Sequence, residues 1–332
     1  MNKKIIYSML IVLVFLLIIS FALKNVGSPT SEPESFSALE IKFDPDSVTK
    51  IDVFKQDYPD SGLHFVKLDT SWVVSNAFDA PAKQSDIDKL LTDLDDVSGQ
   101  VRSKSADLYN EYDISDEKAL QIELYNAAGS KVVHVYVGKG GTGQECFVRL
   151  AGSPVVYLAD NNFISRFAAW NAPPEKRLPT DRWVDLALCD IPRDQIKSFK
   201  IKKGKTEYDF ALIEEPLEDS LAQPQEVWTQ VSPKKGLKLE ESKIKRLHSG
   251  IAALRASGVV NPDLANDPKL KNPAYSLWIA DGDGNMTQIY FGKTYDDAED
   301  RYAVVEGKNV VYTVPKNTFN RIFEDQFKKP DK

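Results

Sequence analysis

The five residues VYVGK at Val135–Lys139 guide the interpretation of the whole chain, because IYFGK at Ile289–Lys293 repeats their pattern 154 residues later. In both stretches β-branched and aromatic residues run into a glycine followed by a lysine. This pattern is typical of a strand that ends in a turn. The sequence therefore predicts that one structural unit occurs twice.

The repeat extends on both sides of this stretch. Before it, the tryptophan of Ser71–Val74 has a counterpart in Val227–Val231, and after it Phe163 corresponds to Phe319. The offsets stay between 154 and 157 residues, so duplication explains them better than chance similarity of ordinary strands. Two further strand pairs share this relation, namely Leu120–Leu124 with Tyr275–Ile279 and Val155–Leu158 with Val310–Thr313.

Each copy also contains an amphipathic helix. Ser85 in the first copy and Ser242 in the second precede apolar residues at helical spacing, and we expect both serines to act as N-caps. The apolar stripes predicted to face the sheets are Ile87, Leu90, Leu91, Leu94 and Val97 in the first copy, and Ile244, Leu247, Ile251 and Leu254 in the second.

The order of these elements predicts an α+β fold made of two tandem duplicated modules. Each module has short strands, one amphipathic helix, about four further strands and a final short helix. The loops are too short for most helical crossovers, so the sheets should be antiparallel. The predicted organisation is a transmembrane helix or signal anchor at 1–24, a flexible tether at 25–37, a first repeat at 38–190, a second repeat at 191–326 and a polar tail at 327–332.

The N-terminus carries an apolar segment. Ile5–Leu23 has 19 residues without a charge, and as a helix it would be about 28 Å long, enough to cross a bilayer once. Lys3 and Lys4 precede it, so the positive-inside rule predicts a single-pass protein of the bacterial cytoplasmic (inner) membrane with its C-terminal domains extracytoplasmic. A cleaved signal peptide is the alternative, because Ser20 and Ala22 fit a cleavage pattern. Both interpretations predict a periplasmic body.

Composition limits the class of function. Of the 332 residues, 42% are hydrophobic and 27% charged, which fits neither wholesale disorder nor a polytopic membrane protein. The net charge is −7, so the positive field of a nucleic-acid-binding protein is lacking and no nucleic-acid partner is expected. Two cysteines, Cys146 and Cys189, and three histidines predict neither a disulfide framework nor a zinc site.

Three stretches imitate functional motifs. Gly138–Gly143 satisfies G-x-G-x-x-G, but a strand rather than a helix is predicted to follow it, which favours a hairpin loop over a dinucleotide site. Asp281–Asn285 resembles a calcium loop, yet the glycine required at the sixth position is Met286, so a turn is favoured. Asp296–Asp300 is interpreted as a solvated acidic loop, with a hard-cation site as the alternative.

The histidines and tryptophans show no catalytic pattern. His248 is expected at the border of the buried helix stripe, and His64 and His134 have no visible catalytic partner. Core packing is favoured over a glycan-binding surface for Trp72, Trp228 and Trp278. Motifs of serine and zinc hydrolases are lacking. The sequence therefore assigns no catalytic, cofactor-binding or metal residue, and no cofactor.

The order of these motifs, with Tyr112–Ile114 and Phe147–Arg149, resembles the bacterial domain-of-unknown-function family 4340 in tandem copies, over residues 48–324. The resemblance implies an extracytoplasmic, membrane-tethered protein, often encoded beside components of an ABC-type transport system related to gliding-motility auxiliary proteins. It brings no catalytic residue. Tyr302–Val304 replaces Phe147–Arg149 in the second copy, so a role of Arg149 does not carry over.

Three functional hypotheses follow. The first is a non-enzymatic accessory or binding protein of the cell envelope, in contact with the membrane and with permease or auxiliary subunits of an ABC-type transporter. The second is an envelope hydrolase that acts on glycan or peptide through carboxylates from distant segments. The third is a structural module that self-associates through sheet edges.

Overall fold

The computed structural model describes residues 39–170, 173, 175–215, 225–266, 268–295 and 299–327. The predicted membrane segment, the tether, residues 296–298 and the tail from residue 328 onward lie outside the described residues. Within the described ranges, no helix has the length and apolar composition to cross a membrane.

The first sheet is antiparallel in all its described pairings. Its nine described strands are β1 (Val48–Lys55), β2 (Tyr58–Leu68), β3 (Ser71–Val74), β4 (Ala80–Pro81), β5 (Gly99–Ser103), β6 (Leu120–Asn126), β7 (Lys131–Gly140), β8 (Cys146–Leu150) and β9 (Val156–Ala159). They lie in the order β4-β3-β2-β1-β6-β7-β8-β9-β5.

The second sheet is also antiparallel. Its eight described strands are β10 (Ile196–Lys203), β11 (Thr206–Glu215), β12 (Gln225–Ser232), β13 (Gly258–Val260), β14 (Tyr275–Asp281), β15 (Met286–Tyr295), β16 (Asp300–Val305) and β17 (Val311–Val314). The order is β12-β11-β10-β14-β15-β16-β17-β13, which matches the first sheet strand for strand from β3 to β5.

Few helices accompany the two sheets, which makes the architecture α+β. The described α-helices are α1 (Gln84–Asp95), α2 (Phe163–Arg166), α3 (Glu241–Ala252), α4 (Pro268–Lys271) and α5 (Lys316–Phe323). The predicted apolar stripes are confirmed inside the helices, since α1 buries Ile87, Leu90, Leu91 and Leu94 while α3 buries Ile244, Leu247 and Ile251 beside His248. Val97 and Leu254 are also buried, but they lie beyond the helix ends.

The predicted serine N-caps are wrong for both long helices. The N-cap residues are Lys83 and Glu240, and neither makes a side-chain cap hydrogen bond. In the first unit, Gln84 explains the earlier start. Its Oε1 accepts from Trp72 N at 2.7 Å and its Nε2 donates to Trp72 O at 2.9 Å. This two-way bond ties the first helical residue to β3, so Ser85 lies inside the helix.

A connector, residues 178–191, joins the two units by backbone pairing on both sides. Lys83 N donates to Trp183 O at 2.8 Å, and Val184 forms a bridge with Ala82 beside β4. Further along, Leu188 N donates to Leu254 O at 3.1 Å in the second unit. Most buried apolar residues of both units and of the connector form one continuous cluster, and two small clusters lie apart from it.

Trp183 anchors the connector in the first unit. Its ring centroid lies 5.2 Å from that of Phe65 on β2 and 5.1 Å from that of Phe167 just after α2. The side chain is only 4% exposed. Because aromatic rings bury large areas and gain from edge and stacked contacts, this residue contributes strongly to the join.

We expect Trp183→Ala to lower the free energy of unfolding by about 3–5 kcal/mol, since it removes a buried aromatic ring from a packed site. Urea denaturation followed by circular dichroism measures this difference. Trp170→Ala is the matched control, because Trp170 is 53% exposed and its loss should change stability by about 0.5 kcal/mol or less. Equal effects of the two substitutions would contradict the anchoring role.

Candidate functional site

The glycine-rich stretch at Gly138–Gly143 forms a hairpin connection, as the sequence predicts. It joins β7 to β8, which pair antiparallel, and no helix follows it. The reason for Gly138 is steric. A Cβ at this position would lie 2.2 Å from the carbonyl oxygen of Tyr112, so the glycine allows the loop before β6 to approach β7.

The aspartate-rich stretch at Asp281–Asn285 is a turn between β14 and β15, also as predicted. The Asp281 carboxylate accepts hydrogen bonds from the backbone N–H groups of Asp283 and Asn285, both at 2.9 Å. Hydrogen bonds from the Asn285 side chain and from these amides lower the pKa of Asp281. In the described part of the chain, no group of three or more His, Cys, Asp or Glu residues has the geometry to hold a metal ion.

The tryptophan prediction is confirmed for two residues and wrong for the third. Trp72 and Trp228 are buried, with 2% and 6% exposure. Trp278 is half-buried on the outer face of the second sheet, because its neighbours Leu277 and Ile279 occupy the inward positions of β14. Its ring lies 5.7 Å from the Lys200 ammonium.

Four charged or titratable residues form a row across the outer face of the first sheet. The polar row consists of His64 on β2, Asp52 on β1, Glu123 on β6 and His134 on β7, and each is register partner of the next. Asp52 and Glu123 are 7% and 6% exposed. Sequence reasoning missed this row because four separate strands supply it. The available signal was a carboxylate between apolar residues in both β1 and β6.

The contacts of His64 favour its protonated form. Its Nδ1 lies 2.8 Å from Asp52 Oδ1, and its Nε2 donates to Pro59 O at 3.0 Å. The hydrogen bond to Asp52 raises the pKa of His64. Burial acts to raise the pKa of Asp52, but the hydrogen bonds from His64 and Lys50 outweigh it and the pKa is lowered. In the protonated form both ring nitrogens donate, which leaves no lone pair for general-base chemistry.

His134 and Glu123, at the other end of the row, also have hydrogen-bond partners within the first unit. His134 Nε2 donates to Gln121 Oε1 at 2.9 Å, and burial lowers the pKa of His134. Glu123 accepts hydrogen bonds from the Tyr125 hydroxyl and the Lys131 ammonium. The row is therefore a satisfied charge network rather than a reactive centre.

The second sheet has different residues at the corresponding positions. There Asp209, Lys200, Trp278 and Gln288 occupy the equivalent register positions. Lys200 Nζ lies 3.5 Å from Asp209 Oδ1. The two units share strand order but not the chemistry of their outer faces.

Arg149 fixes a covering segment, residues 109–116, on the outer face of the first sheet. Its Nη2 donates to Asp116 Oδ1 at 2.5 Å, and the guanidinium lies 3.8 Å from the ring centroid of Tyr136. Val304, the residue that the repeat aligns with Arg149, has no such charge. Arg149 is thus part of the first unit's distinct surface.

His248 and the two cysteines have structural roles. His248 is 9% exposed, its Nε2 donates to Arg193 O at 3.0 Å, and its ring lies 4.6 Å from that of Trp228, as expected of a border histidine. Cys146 and Cys189 are both buried free thiols. Burial raises the pKa of Cys146 to about 11, so this thiol is a poor nucleophile at neutral pH.

A basic cavity of about 400 Å³ lies where the first unit meets the connector. Helix α1 and the residue before it, the end of α2, and the connector all contribute to its wall. The lining residues are Lys83, Asp86, Lys89, Arg166, Arg182 and Trp183. No local pattern indicates this site, because its residues come from three segments, and the first and last of these residues are about 100 positions apart.

A second groove, of about 270 Å³, lies at the end of β7. Lys118, Lys139, Asp113, Glu117 and the half-exposed Trp170 are among its lining residues. Lys118 Nζ lies 3.7 Å from Asp113 Oδ1. Three lysines, Lys55 included, and two carboxylates line this groove, whereas four cations and one carboxylate line the basic cavity.

The fold and the cavity define a two-sheet α+β protein with an open cationic site. Residues 72–275 match the family described as a domain of unknown function (DUF4340), and the chain belongs to that family. The match is one range that starts in β3 and ends at the first residue of β14, so it includes parts of both sheets. Comparisons with curated proteins and with solved structures gave no match.

We expect NMR titration to give His64 a pKa above 6.5 and His248 a pKa below it. Since the folded protein binds the His64 proton more tightly than the unfolded chain, the pair stabilises the fold fully below pH 6.5, and this contribution is lost as the pH rises through the raised pKa. Asp52→Asn should lower the pKa of His64 and leave that of His248 unchanged. A wild-type His64 pKa at or below 6.5 contradicts the geometry described.

Proposed function

We propose that the protein is a membrane-anchored, extracytoplasmic accessory or binding protein of the bacterial cell envelope, associated with an ABC-type transport system and without catalysis of its own. In this proposal Ile5–Leu23 spans the inner membrane once and holds both sheets in the periplasm. The apolar segment and the basic residues before it support the location, and the association is what the resemblance to the family implies.

The observation that carries the proposal is the basic cavity. It is a preformed concave site of about 400 Å³, within the size range of ligand pockets, and it is built jointly by the first unit and the connector. In this proposal a ligand in the cavity contacts the connector and so acts on the join between the units. This coupling suits a protein that reports ligand binding to a neighbouring complex.

The state of the titratable groups favours binding over catalysis. A general acid in a hydrolase needs a carboxyl whose pKa is raised toward neutrality. Asp52 and Asp281 are both shifted the other way. His64 and His248 each donate to a backbone carbonyl. The hydrolase alternative gains no support from these residues.

We further propose that the two units are tandem copies of one ancestral unit. The shared strand order and the 154- to 157-residue offsets support duplication. The first copy has the polar row and a covering segment fixed by Arg149, whereas in the second copy Leu270 packs on Tyr302 and Val311 at the corresponding place. The two copies would then have diverged in function, with ligand binding in the first.

Self-association is a second candidate, and the edge of the second sheet favours it. Strand β12 is eight residues long and pairs with β11 on one side only among the described strands. Val231 on β12 and Ile213 on β11 are 45% and 40% exposed. By contrast, the corresponding edge of the first sheet is covered by the connector at Ala82 and Val184. An uncovered edge strand can pair with another copy.

We expect affinity capture of the detergent-solubilised full chain, at native expression, to recover subunits of an ABC-type permease or its auxiliary proteins. The control is residues 1–37 fused to an unrelated soluble domain, which separates the anchor from the two sheets. Repeated capture without transporter subunits contradicts the association. Resistance of the sheets to protease added to intact spheroplasts contradicts the extracytoplasmic location.

If β12 mediates pairing, light scattering on the solubilised chain should show a dimer that Val231→Lys converts to a monomer, because a charge on an edge strand opposes strand addition. Val132→Lys is the control, since Val132 is an exposed valine on β7, an internal strand. A wild-type monomer at high concentration excludes this candidate.

A further inference from the structure

We propose that the basic cavity binds a phosphate-type oxyanion, carried on a small ligand or on a lipid headgroup. The inference rests on the proposed function in taking this cavity as the ligand site, and it adds the chemistry of the ligand. It depends on charge, on unpaired buried donors and on the position of the site at a helix start.

The lining of the cavity has an excess of positive charge. The cavity is lined by four cations, Lys83, Lys89, Arg166 and Arg182, and by one carboxylate, Asp86. The whole chain has a net charge of −7, so this concentration of positive charge opposes the overall composition. A concave site lined by one sign of charge attracts ligands of the opposite sign.

Two buried donors without acceptors provide the second argument. Arg166 Nη1 and Trp183 Nε1 are buried and have no hydrogen-bond partner among the described residues. Both residues line the cavity, and Trp183 is only 4% exposed. Guanidinium and indole N–H groups donate and cannot accept. An unpaired buried donor costs free energy. Both atoms are shielded from solvent, so acceptor oxygens of a ligand reach them only after the side chains of the wall shift on binding, and such contacts remove that cost.

The charge balance selects the phosphate class. Arg166 Nη2 binds Asp93, and Lys89 Nζ lies 3.3 Å from Asp93 Oδ1. Counting Asp86 and Asp93 against the four lining cations leaves an excess of two positive charges. This excess matches a phosphate monoester dianion better than a carboxylate monoanion. Arginine beside lysine is a usual donor set for phosphate.

The cavity lies at the start of helix α1. Lys83 is the N-cap residue of α1, a helix of 12 residues, and Asp86 lies in its first turn. The partial positive charge at a helix start favours an anion. The volume of about 400 Å³ exceeds that of a bare phosphate ion, so the site accepts an organic group attached to the phosphate.

The second unit does not repeat this donor set. Glu240 is the N-cap residue of α3 at the position of Lys83. By the register of Phe163 with Phe319, Ile322 stands at the position of Arg166. The fold therefore does not itself require these cations, and their presence in the first unit needs a separate explanation, which ligand binding supplies.

The test is isothermal titration calorimetry of the detergent-solubilised full chain with sodium phosphate and with glycerol 3-phosphate, at constant ionic strength. Sodium acetate provides the carboxylate comparison. We expect both phosphates to bind and acetate to bind more weakly. Arg166→Gln should raise the dissociation constants at least about tenfold, as expected for loss of a charged hydrogen bond.

Arg182→Gln is the second variant, because Arg182 is exposed and its replacement does not touch the packed core. It should raise the dissociation constants about threefold or more, in line with loss of one charge near the ligand. Lys245→Gln is the matched control, since Lys245 pairs with Glu241 on α3 at a distance from the cavity. It should leave binding unchanged. Circular dichroism melting checks that each variant is folded.

Phosphatidic acid with six-carbon chains distinguishes the two sources of phosphate. Tighter binding than glycerol 3-phosphate indicates a lipid headgroup, and equal or weaker binding indicates a free phosphorylated ligand. Wild-type protein that binds none of these phosphates at millimolar concentration, or that binds them equally well after Arg182→Gln and folded Arg166→Gln, overturns the proposal. Transporter capture is measured separately, so phosphate binding without capture rejects only the association, and capture without phosphate binding rejects only this inference.

Discussion

The pairing of the connector with both units is the constraint on which the rest of the structure depends. Backbone hydrogen bonds hold it beside β4 and Lys83 on one side and against Leu254 on the other. Backbone pairing sets position but contributes little specificity, since every residue offers the same groups. Trp183 supplies the specificity by packing between Phe65 and Phe167. The same residue lines the basic cavity, so the join and the cavity are one structural feature.

The two sheets illustrate how one strand order supports different chemistry. On the first sheet, Asp52 and Glu123 are buried on the outer face, which is costly unless each charge is compensated. His64, Lys50 and Lys131 provide that compensation. On the second sheet, Lys200 faces Trp278 instead and no comparable pair of buried carboxylates is present in the described residues. Differences of this kind belong to the sites on a fold rather than to the fold itself.

Much of the fold could be predicted from the sequence, because its signals are local. The apolar stripes of α1 and α3, the hairpin after Gly138 and the turn at Asp281 depend on residues within a few positions of one another. The serine caps failed because Gln84 bonds to Trp72, a contact across 12 positions that helix patterns do not contain. Composition places Phe327 in the polar tail, but its ring centroid lies 4.7 Å from that of Tyr208. This contact, too, joins residues far apart in the chain.

The candidate site was beyond local patterns altogether. Lys83, Arg166 and Trp183 come together only after β4, α2 and the connector have assembled. The polar row likewise depends on strand pairing, since its partners Asp52 and Glu123 are 71 positions apart in the chain. Charged residues are common on any protein surface. Their residue types alone therefore do not show which of them converge on one site and which only face solvent.

The two-sided pairing of the connector also has a consequence for synthesis on the ribosome. Domains fold as units, with the N-terminal one first. Everything that holds the front half of the connector precedes it in the chain, so that half can be in place before residue 254 has been made. Leu186 and Leu188 follow directly in the chain and offer backbone groups to Ala256 and Leu254 as soon as those residues are made. We expect the second sheet, which is synthesised later, to assemble against the connector that the first sheet already holds.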